Sequence, residues 1–473
     1  MENHSDGRID NQLRENIMGQ YLGYDPRMAI CGIVVLPVLI WWFKVEATNK
    51  VKWFGYLMIL FFVHGSIELA HVINTTILRY IFELPILYLY FTSYKRYGYA
   101  GRGLVIPFIL VSLVSSIQTS PMMWVLFLLY FLEIFMLFIY FRNNYEGEEA
   151  TLLHKLFWLL ACSQIPTAII KYFMVGVTEP YIGSMSSHEG GITTVFSLVM
   201  YCYALEMYFC TRERKYLLAL LGFVLFGIVG AKRALAFFFP AFYFVVLILH
   251  SLCTHSIVRN TKKIIYGVIC MPILFILLCI LNPSFNPEKK VGGSFDLNYV
   301  IEYSGKYNNG GFGGDDKAGR ANAMAIIHEK MLNDNLPHQL FGYGSGLLIA
   351  SSFNSKKMDS YARMKVFGVG YSMGIGYLTL LAQVGFMGVI PYFLIFILSS
   401  IDLLRKTKAM SPYMTQTEIG LCVSAILTLI CIITLSFFYN NTSFFFNCAS
   451  VLNMWFIAYA YITLDKVKER ITA

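Results

Sequence analysis

The sequence GRANAMAIIHEKMLNDNLPHQLFGYGSG, residues 319–346, lies at the centre of one long polar segment that runs from Pro283 to Tyr371. On both sides of it the chain is a succession of hydrophobic runs, and such runs cross about 30 Å of hydrocarbon as helices. This contrast predicts the fold class. We expect an all-α, polytopic integral membrane protein of about 12–13 transmembrane helices, with one long outer loop that contains short helices.

Composition favours the same class. Of 473 residues, 57% are hydrophobic and 14% are charged, whereas soluble domains carry about 25% charged residues. The mean hydropathy is +0.59. The net charge of +9 comes from basic residues scattered between the hydrophobic runs, which is typical of cytoplasmic loops and predicts no nucleic-acid partner. Residues 1–27 are polar, so no cleavable signal peptide is predicted.

Four regions follow from this pattern. Residues 1–27 form a polar tail, residues 28–282 a transmembrane bundle, residues 283–372 a periplasmic loop over the active site, and residues 373–473 the last membrane helices and a cytoplasmic tail. We expect the protein in the cell inner (cytoplasmic) membrane.

Basic residues set the predicted orientation, because cytoplasmic loops are enriched in Lys and Arg. The turns at 95–102, 212–215, 259–263 and 405–408 are basic and are assigned to the cytoplasm. The long loop then lies outside, as does 176–191. The number of early spans and the side of the N-terminus stay open.

The same count places Lys232-Arg233 outside, against the rule for basic residues. One interpretation is a pair of charges that anchors a membrane boundary. The other is functional, because arginines facing one outer cavity would bind the oxygens of a pyrophosphate in a bidentate manner.

The polar segment itself predicts a helix over Ala321 to Asn335. Met324, Ile327 and Met331 recur at helical spacing and define an apolar stripe. Arg320 precedes Met324 by one helical turn, so it extends that stripe. Either the helix lies on the membrane domain and directs Arg320 into a cavity, or the arginine reaches back into water.

Glycines recur after this helix at Gly342, Gly344 and Gly346. No strand–helix context of a dinucleotide-binding motif surrounds them. The segment could present backbone N–H groups to an anion; a tight turn is the alternative.

Ionisable residues also interrupt the hydrophobic runs. Such residues are costly in lipid and usually face a cavity or a partner, which is compatible with a polar substrate pocket or with a transport route. They are His64, Glu68, Arg79, Glu83, Glu133, Lys171 and Glu206.

The order of three motifs resembles the O-antigen polymerase and O-antigen ligase superfamily of membrane glycosyltransferases. Residues 230–235 (GAKRAL) resemble its small-Ser-Arg-small turn, and residues 319–346 resemble its long outer loop, with an arginine before a helix and then Gly-x-Gly-x-Gly. Residues 371–394, with Gln383-Val384-Gly385, resemble the span that leaves that loop. The resemblance covers about Gly222 to Leu404. The ligases have a histidine where this chain has Tyr371-Ser372, which favours a polymerase.

The resemblance implies a substrate and a reaction. A glycan on a polyprenyl-pyrophosphate carrier is transferred to a second lipid-linked glycan, and the pyrophosphate leaves. Arg233 and Arg320 would stabilise the leaving group, and His328, eight residues after Arg320, is the favoured base for the acceptor hydroxyl. We expect the substrate to contact Lys232, Gly342, Gly344, Gly346 and Tyr371. The other candidate bases are His338, Glu302, Asp315, Asp316, His188 and Glu189.

No cofactor and no metal are expected: none of the ten cysteines lies in the long loop, and the family does not require a cation at Asp315-Asp316. The expected partners are the lipid-linked oligosaccharide, membrane lipids, and a chain-length regulator and flippase of the same pathway. Two alternatives remain, a ligase of the same superfamily and a flippase or transporter for lipid-linked oligosaccharide.

Overall fold

The computed structural model describes residues 26–70, 75–93, 101–177, 184–185, 190–254, 261–310, 318–349, 367–369 and 374–472. Within these ranges the ordered elements are helices, and no β-strand occurs. The predicted all-α membrane fold is confirmed. The predicted N-terminal tail lies outside the described residues, apart from its last two positions.

In the described part of the N-terminal half, eight α-helices follow a 3-10 segment, Pro26–Val35. They are α1 Leu36–Lys44, α2 Asn49–Phe61, α3 His64–Leu69, α4 Thr75–Ser93, α5 Val105–Ser115, α6 Pro121–Asn144, α7 Gly147–Cys162 and α8 Ile165–Val175.

The described residues in the middle of the chain form four apolar helices and then three helices of the long loop. They are α9 Gly190–Thr211, α10 Arg214–Val229, α11 Arg233–Thr254, α12 Thr261–Leu281, α13 Leu297–Asn309, α14 Arg320–Leu332 and α15 Leu336–Phe341.

The C-terminal part returns to apolar helices. They are α16 Gly376–Met410, α17 Gln416–Cys431, which continues as a π-helical segment Ile432–Phe437, and α18 Cys448–Thr472.

Several helix starts follow from capping residues in the sequence. The side chain of Asp296 accepts hydrogen bonds from Asn298 N and Tyr299 N at the start of α13. Asn335 caps α15 by accepting from His338 N, and Pro337 occupies its first turn. Thr415 and Glu418 form a capping box at α17. These side chains satisfy N–H groups that the first turn of a helix leaves without backbone partners.

Eight described segments have the length and composition to cross a membrane, compared with the predicted 12–13 spans. They are Arg27–Lys44, Pro121–Asn144, Gly147–Val175, Gly190–Thr211, Arg233–Thr254, Thr261–Leu281, Gly376–Tyr413 and Gln416–Phe437. Shorter apolar helices, Ile81–Thr92 and Arg102–Gln118, account for part of the difference. The hydrophobic run at residues 51–70 is divided after Phe61 into α2 and α3.

Helix α9 is the centre of the bundle. Its apolar window is 94% buried, whereas that of α12 is 17% buried. A helix that is apolar all round belongs inside a membrane protein or against lipid. Burial shows which of these applies to each helix. Helix α9 lies inside the protein, packed against α10, α11 and α17, whereas the exposed apolar side chains of α12 face outward.

Helix α16 is interrupted at Gly385, whose backbone has φ +62° and ψ −170°. An added Cβ at this residue would collide with the backbone of Leu340, so glycine permits both the break and the close approach of α15. The break leaves backbone carbonyls of the preceding turn accessible to another segment.

Candidate functional site

The turn between α10 and α11 is tight and strained. Ala231 has a positive φ of 50°, which is uncommon for a residue with a side chain. An added Cβ on Gly230 would lie 2.7 Å from Thr193 Cγ2. Lys232 is buried, with 6% of its surface exposed, and Arg233 is the first residue of α11. The predicted pair therefore separates into one buried lysine and one arginine at a helix start.

Helix α13 of the long loop faces Arg233 with a row of tyrosines. Tyr299, Tyr303 and Tyr307 are spaced by four and therefore share one face of the helix. The rings of Tyr299 and Tyr303 stack at a centroid distance of 6.1 Å, and those of Tyr303 and Tyr307 at 6.4 Å. This tyrosine row forms the side of the site that lies on the loop.

Arg233 binds to this row. Its Nη1 donates a 2.6 Å hydrogen bond to the Tyr303 hydroxyl. Its guanidinium carbon lies 4.2 Å from the ring centroid of Tyr307, a cation–π geometry. The turn at 230–233 and the long loop are therefore on the same side of the bundle, as the charge pattern predicts.

Arg320 reaches the same row from the other direction. It is the first residue of α14, and its Nη1 donates a 3.0 Å hydrogen bond to the Tyr307 hydroxyl. Its Nε donates to the carbonyl oxygen of Tyr439 at 3.2 Å, and its guanidinium carbon lies 4.2 Å from the Tyr439 ring centroid. Gly319 permits this position, because α14 begins directly against the backbone of Asn308.

Two positive charges therefore share one tyrosine. Burial lowers the pKa of Arg320, as does the nearby charge of Arg233, but Tyr439 and Tyr307 outweigh both and raise it above its ordinary value. Arg320 keeps its charge, and within the described residues two of its N–H donors are used. A guanidinium has five such donors, so three remain for which no described residue is the acceptor.

The apolar face of α14 packs as the stripe predicts, except that Ala323 rather than Met324 is the fully buried residue of its first turn. Ile327 and Met331 are buried, Ala323 is buried beside them, and Met324 is only partly buried. His328 projects toward α16, where its Nε2 and the Tyr377 hydroxyl share a 2.6 Å hydrogen bond. Tyr377 stacks on Phe438, the neighbour of Tyr439. Arg320 thus contacts Tyr439 directly, and His328 is connected to the preceding residue, Phe438, through Tyr377.

The glycine motif has a packing role. Tyr343 N and Gly344 N donate to the carbonyls of Ala382 and Gln383, which the break in α16 leaves accessible. Gly346 N donates a 3.1 Å hydrogen bond to Gln383 Oε1, and Gly342 N donates a hydrogen bond to the His338 carbonyl oxygen. These amides bond within the protein, so they do not present the anion-binding N–H groups that the sequence suggested.

The positive φ angles explain why this motif contains glycine. Gly342, Gly344 and Gly346 have φ of +74°, +124° and +86°. An added Cβ would lie 2.5 Å from the backbone of Gln383 at the first position and 2.6 Å from Thr119 Cγ2 at the second. The motif is a clasp that fixes the end of α15 against α16 and the turn between α5 and α6.

An acidic residue reinforces this clasp. Asp334 accepts a 2.6 Å hydrogen bond from the Tyr343 hydroxyl and lies 3.1 Å from His338 Nδ1. The Tyr343, His338 and Asn335 hydrogen bonds lower the pKa of Asp334 to about 2. His338, a candidate base from the sequence, is therefore engaged with Asp334.

The remaining candidates are dispersed or undescribed. Glu302 forms an exposed ion pair with Lys306 one turn along α13. Several candidates lie outside the described residues: Tyr371, Asp315, Asp316, His188, Glu189 and the side chain of Arg79.

Sequence reasoning missed four tyrosines: Tyr303, Tyr307, Tyr377 and Tyr439. The row of three tyrosines in α13 was detectable, since Tyr299, Tyr303 and Tyr307 recur every four residues. Tyr439 ends a hydrophobic run and carries no local sign of its contact with Arg320.

Comparison with models of protein families and with curated proteins finds no match to this chain.

Proposed function

We propose that this protein is a membrane glycosyltransferase that polymerises lipid-linked repeat units of an O-antigen-type surface polysaccharide. The growing glycan, carried on polyprenyl pyrophosphate, is transferred to a hydroxyl group of a second lipid-linked repeat at the outer face of the cytoplasmic membrane. The observation that carries this proposal is the convergence of Arg233 and Arg320 on Tyr307.

The arginine pair suits a pyrophosphate leaving group. When the bond between the sugar C1 and the phosphate oxygen breaks, the oxygen keeps the electron pair and the carrier gains negative charge. Two fixed guanidinium groups stabilise that charge as it develops. A pyrophosphate is already a good leaving group, so charge is needed here more than a general acid.

The N-termini of two helices add to the positive electrostatic potential at this site. Arg233 and Arg320 are each the first residue of their helix, where the helix dipole favours negative charge. A cation is unfavourable at this position on local grounds. Two arginines placed there, on helices distant in sequence, therefore support a site for an anion.

The acceptor requires a group that takes its proton. The new bond joins the sugar C1 to the acceptor oxygen, and the hydroxyl proton leaves that oxygen. His328 is half-buried, is oriented by Tyr377, and belongs to the helix that begins with Arg320. We assign it the role of general base.

Reconstitution tests the proposal. Purified protein is placed in liposomes with a lipid-linked repeat unit, and both glycan length and released polyprenyl pyrophosphate are measured. We expect chain growth with one carrier released per unit added. Arg233→Ala and Arg320→Ala are each expected to reduce the rate by about 10²–10³-fold, the usual loss for one donor to a developing oxyanion.

Lys306→Ala serves as the control, because Lys306 is a basic residue of the same loop that pairs with Glu302 in water. Its rate should match that of the wild type. Transfer only to a different lipid acceptor would identify a ligase. Movement of the lipid-linked repeat across the bilayer without chain growth would identify a transporter and overturn the proposal.

A further inference from the structure

A second cluster of ionisable side chains lies inside the bundle, away from the long loop. Glu206 and Cys210 are one turn apart near the end of α9, and His250 faces them from α11. Glu206 is fully buried and His250 is 4% exposed. By the distribution of basic turns, this end of the bundle faces the cytoplasm.

Three ligand atoms of this cluster converge. His250 Nδ1 lies 2.9 Å from Glu206 Oε1, and Cys210 Sγ lies 3.2 Å from the same oxygen. Cys210 Sγ lies 3.8 Å from His250 Nδ1. Tetrahedral zinc with ordinary bonds to oxygen, nitrogen and sulfur has ligand–ligand distances of about 3.3–3.6 Å. Small side-chain shifts therefore convert this group into three ligands of a tetrahedral ion.

A second observation also indicates a ligand. Glu206 Oε2 is buried and has no hydrogen-bond partner among the described residues. A buried carboxylate oxygen left in this state is costly. A cation bound between Glu206, Cys210 and His250 would satisfy it.

We propose that Glu206, Cys210 and His250 bind a divalent transition-metal ion of the zinc class. A thiolate, an imidazole and a carboxylate are the ligand types that zinc takes in proteins, whereas calcium and magnesium prefer oxygen alone. The site joins α9 to α11. Its role is structural, and it is independent of the proposed glycosyl transfer.

Lys263 lies beside this site. Its Nζ is 2.8 Å from His250 Nε2. When the ion binds, the Cys210 thiol loses its proton, because the thiolate is the form that binds metal.

From the sequence, only Glu206 was marked, as an ionisable residue within a hydrophobic run. Its partnership with His250 could not be predicted, because His250 lies on a different helix, and Cys210 resembles any other cysteine beside a hydrophobic run.

Metal content is the direct test. The full chain is purified in detergent without chelator, and zinc per chain is measured by elemental analysis for the wild type, Cys210→Ser, Glu206→Gln and Cys279→Ser. Cys279 is a buried cysteine of α12 outside the cluster and is the matched control. We expect about one zinc per chain in the wild type and in Cys279→Ser, and at least a tenfold loss in the other two, since each removes a ligand of the ion.

Cobalt provides a readout that does not depend on recovery of bound zinc. Titration of folded, metal-stripped protein with Co²⁺ should produce a thiolate-to-metal charge-transfer band in the wild type and in Cys279→Ser, and none in Cys210→Ser. Gel filtration confirms that each variant is folded. A folded wild type with neither zinc nor a cobalt–thiolate band overturns the proposal, as does a band that survives Cys210→Ser.

Discussion

Arg233 and Arg320 contact the same side chain, although one begins a transmembrane helix and the other a helix of the long loop. The guanidinium carbon of Arg233 lies 4.2 Å from the ring centroid of Tyr307, and Arg320 Nη1 donates to its hydroxyl at 3.0 Å. The face of the ring attracts one cation, and the oxygen accepts from the other. Tyr307 therefore contacts two like charges at once, one through its ring and one through its hydroxyl.

This relationship predicts that the ring and the hydroxyl of Tyr307 contribute separately to the rate of chain growth. Tyr307→Phe keeps the ring for Arg233 and removes the acceptor of Arg320. A hydrogen bond to a charged group is worth about 1.5–3 kcal/mol, so we expect a 10- to 100-fold lower rate of chain growth. Tyr307→Ala should lose more.

Tyr299→Phe is the control for this series, because Tyr299 belongs to the same row and contacts neither arginine in any described interaction. The measurement is the initial rate in proteoliposomes. Equal rates for Tyr307→Phe and the wild type would show that Tyr307 does not position Arg320.

His328 supplies the second prediction. As general base, it should contribute about 10²–10⁴-fold to the rate, and His328→Gln should lose that factor in kcat with little change in KM. Tyr377→Phe leaves the imidazole without its 2.6 Å partner and should show a smaller loss. His338→Gln, whose histidine pairs with Asp334, should retain most of the rate. An intact kcat in His328→Gln would assign the base elsewhere.

The glycine clasp predicts a folding defect. Gly346→Ala forces a side chain into a positive φ of +86° and against the backbone of Met123, and such strain costs about 1–3 kcal/mol before any collision is counted. We expect a strong reduction of folded protein in the membrane. Gly305→Ala is the control, since nothing lies within 4 Å of its added Cβ. Fluorescence-detected gel filtration measures both; equal yields would contradict the packing role.

Asp334 predicts a pH dependence for the same clasp. Its pKa is lowered to about 2 in the folded protein, against about 3.9 for a free aspartate. A lowered pKa means that the carboxylate stabilises the folded state above about pH 4, and that this contribution is lost as the pH falls toward 2.

Hydrogen–deuterium exchange of residues 338–349 checks this point. We expect wild type to be better protected than Asp334→Asn, with a ratio that is nearly constant above about pH 5 and shrinks progressively as the pH falls from there toward 2, as the lowered pKa requires. A ratio that stays the same over this whole range would show that the Asp334 pKa is not lowered.

Much of the fold could be predicted from hydrophobic runs, because burial in lipid and the 3.6-residue repeat leave a direct imprint on the sequence. The helix at 320–332 was anticipated within a few residues from Met324, Ile327 and Met331. The division between α2 and α3 was not, because Phe62 and Val63 at the break are apolar, and the polar residues His64 and Ser66 and the glycine Gly65 that follow it are part of α3.

The site was predictable only where the residue type was unusual for its place. Arg233 and Arg320 were visible as charges at a membrane boundary and on an apolar stripe. Their meeting at Tyr307 was not, because it depends on how α13 lies against α11, a long-range contact without a local pattern. The role of the glycine motif was ambiguous for the same reason, since its partners at Gln383 and Ala382 belong to a distant helix.

The most direct test of the central claim is the ladder of surface-glycan lengths in a strain that lacks this protein. Wild type, Arg233→Ala, Arg320→Ala and Lys306→Ala are expressed at equal membrane levels, and the surface glycan is separated on a gel. We predict a full ladder for wild type and Lys306→Ala, and single repeat units for both arginine variants. A full ladder in either arginine variant would contradict a polymerase that uses this arginine pair.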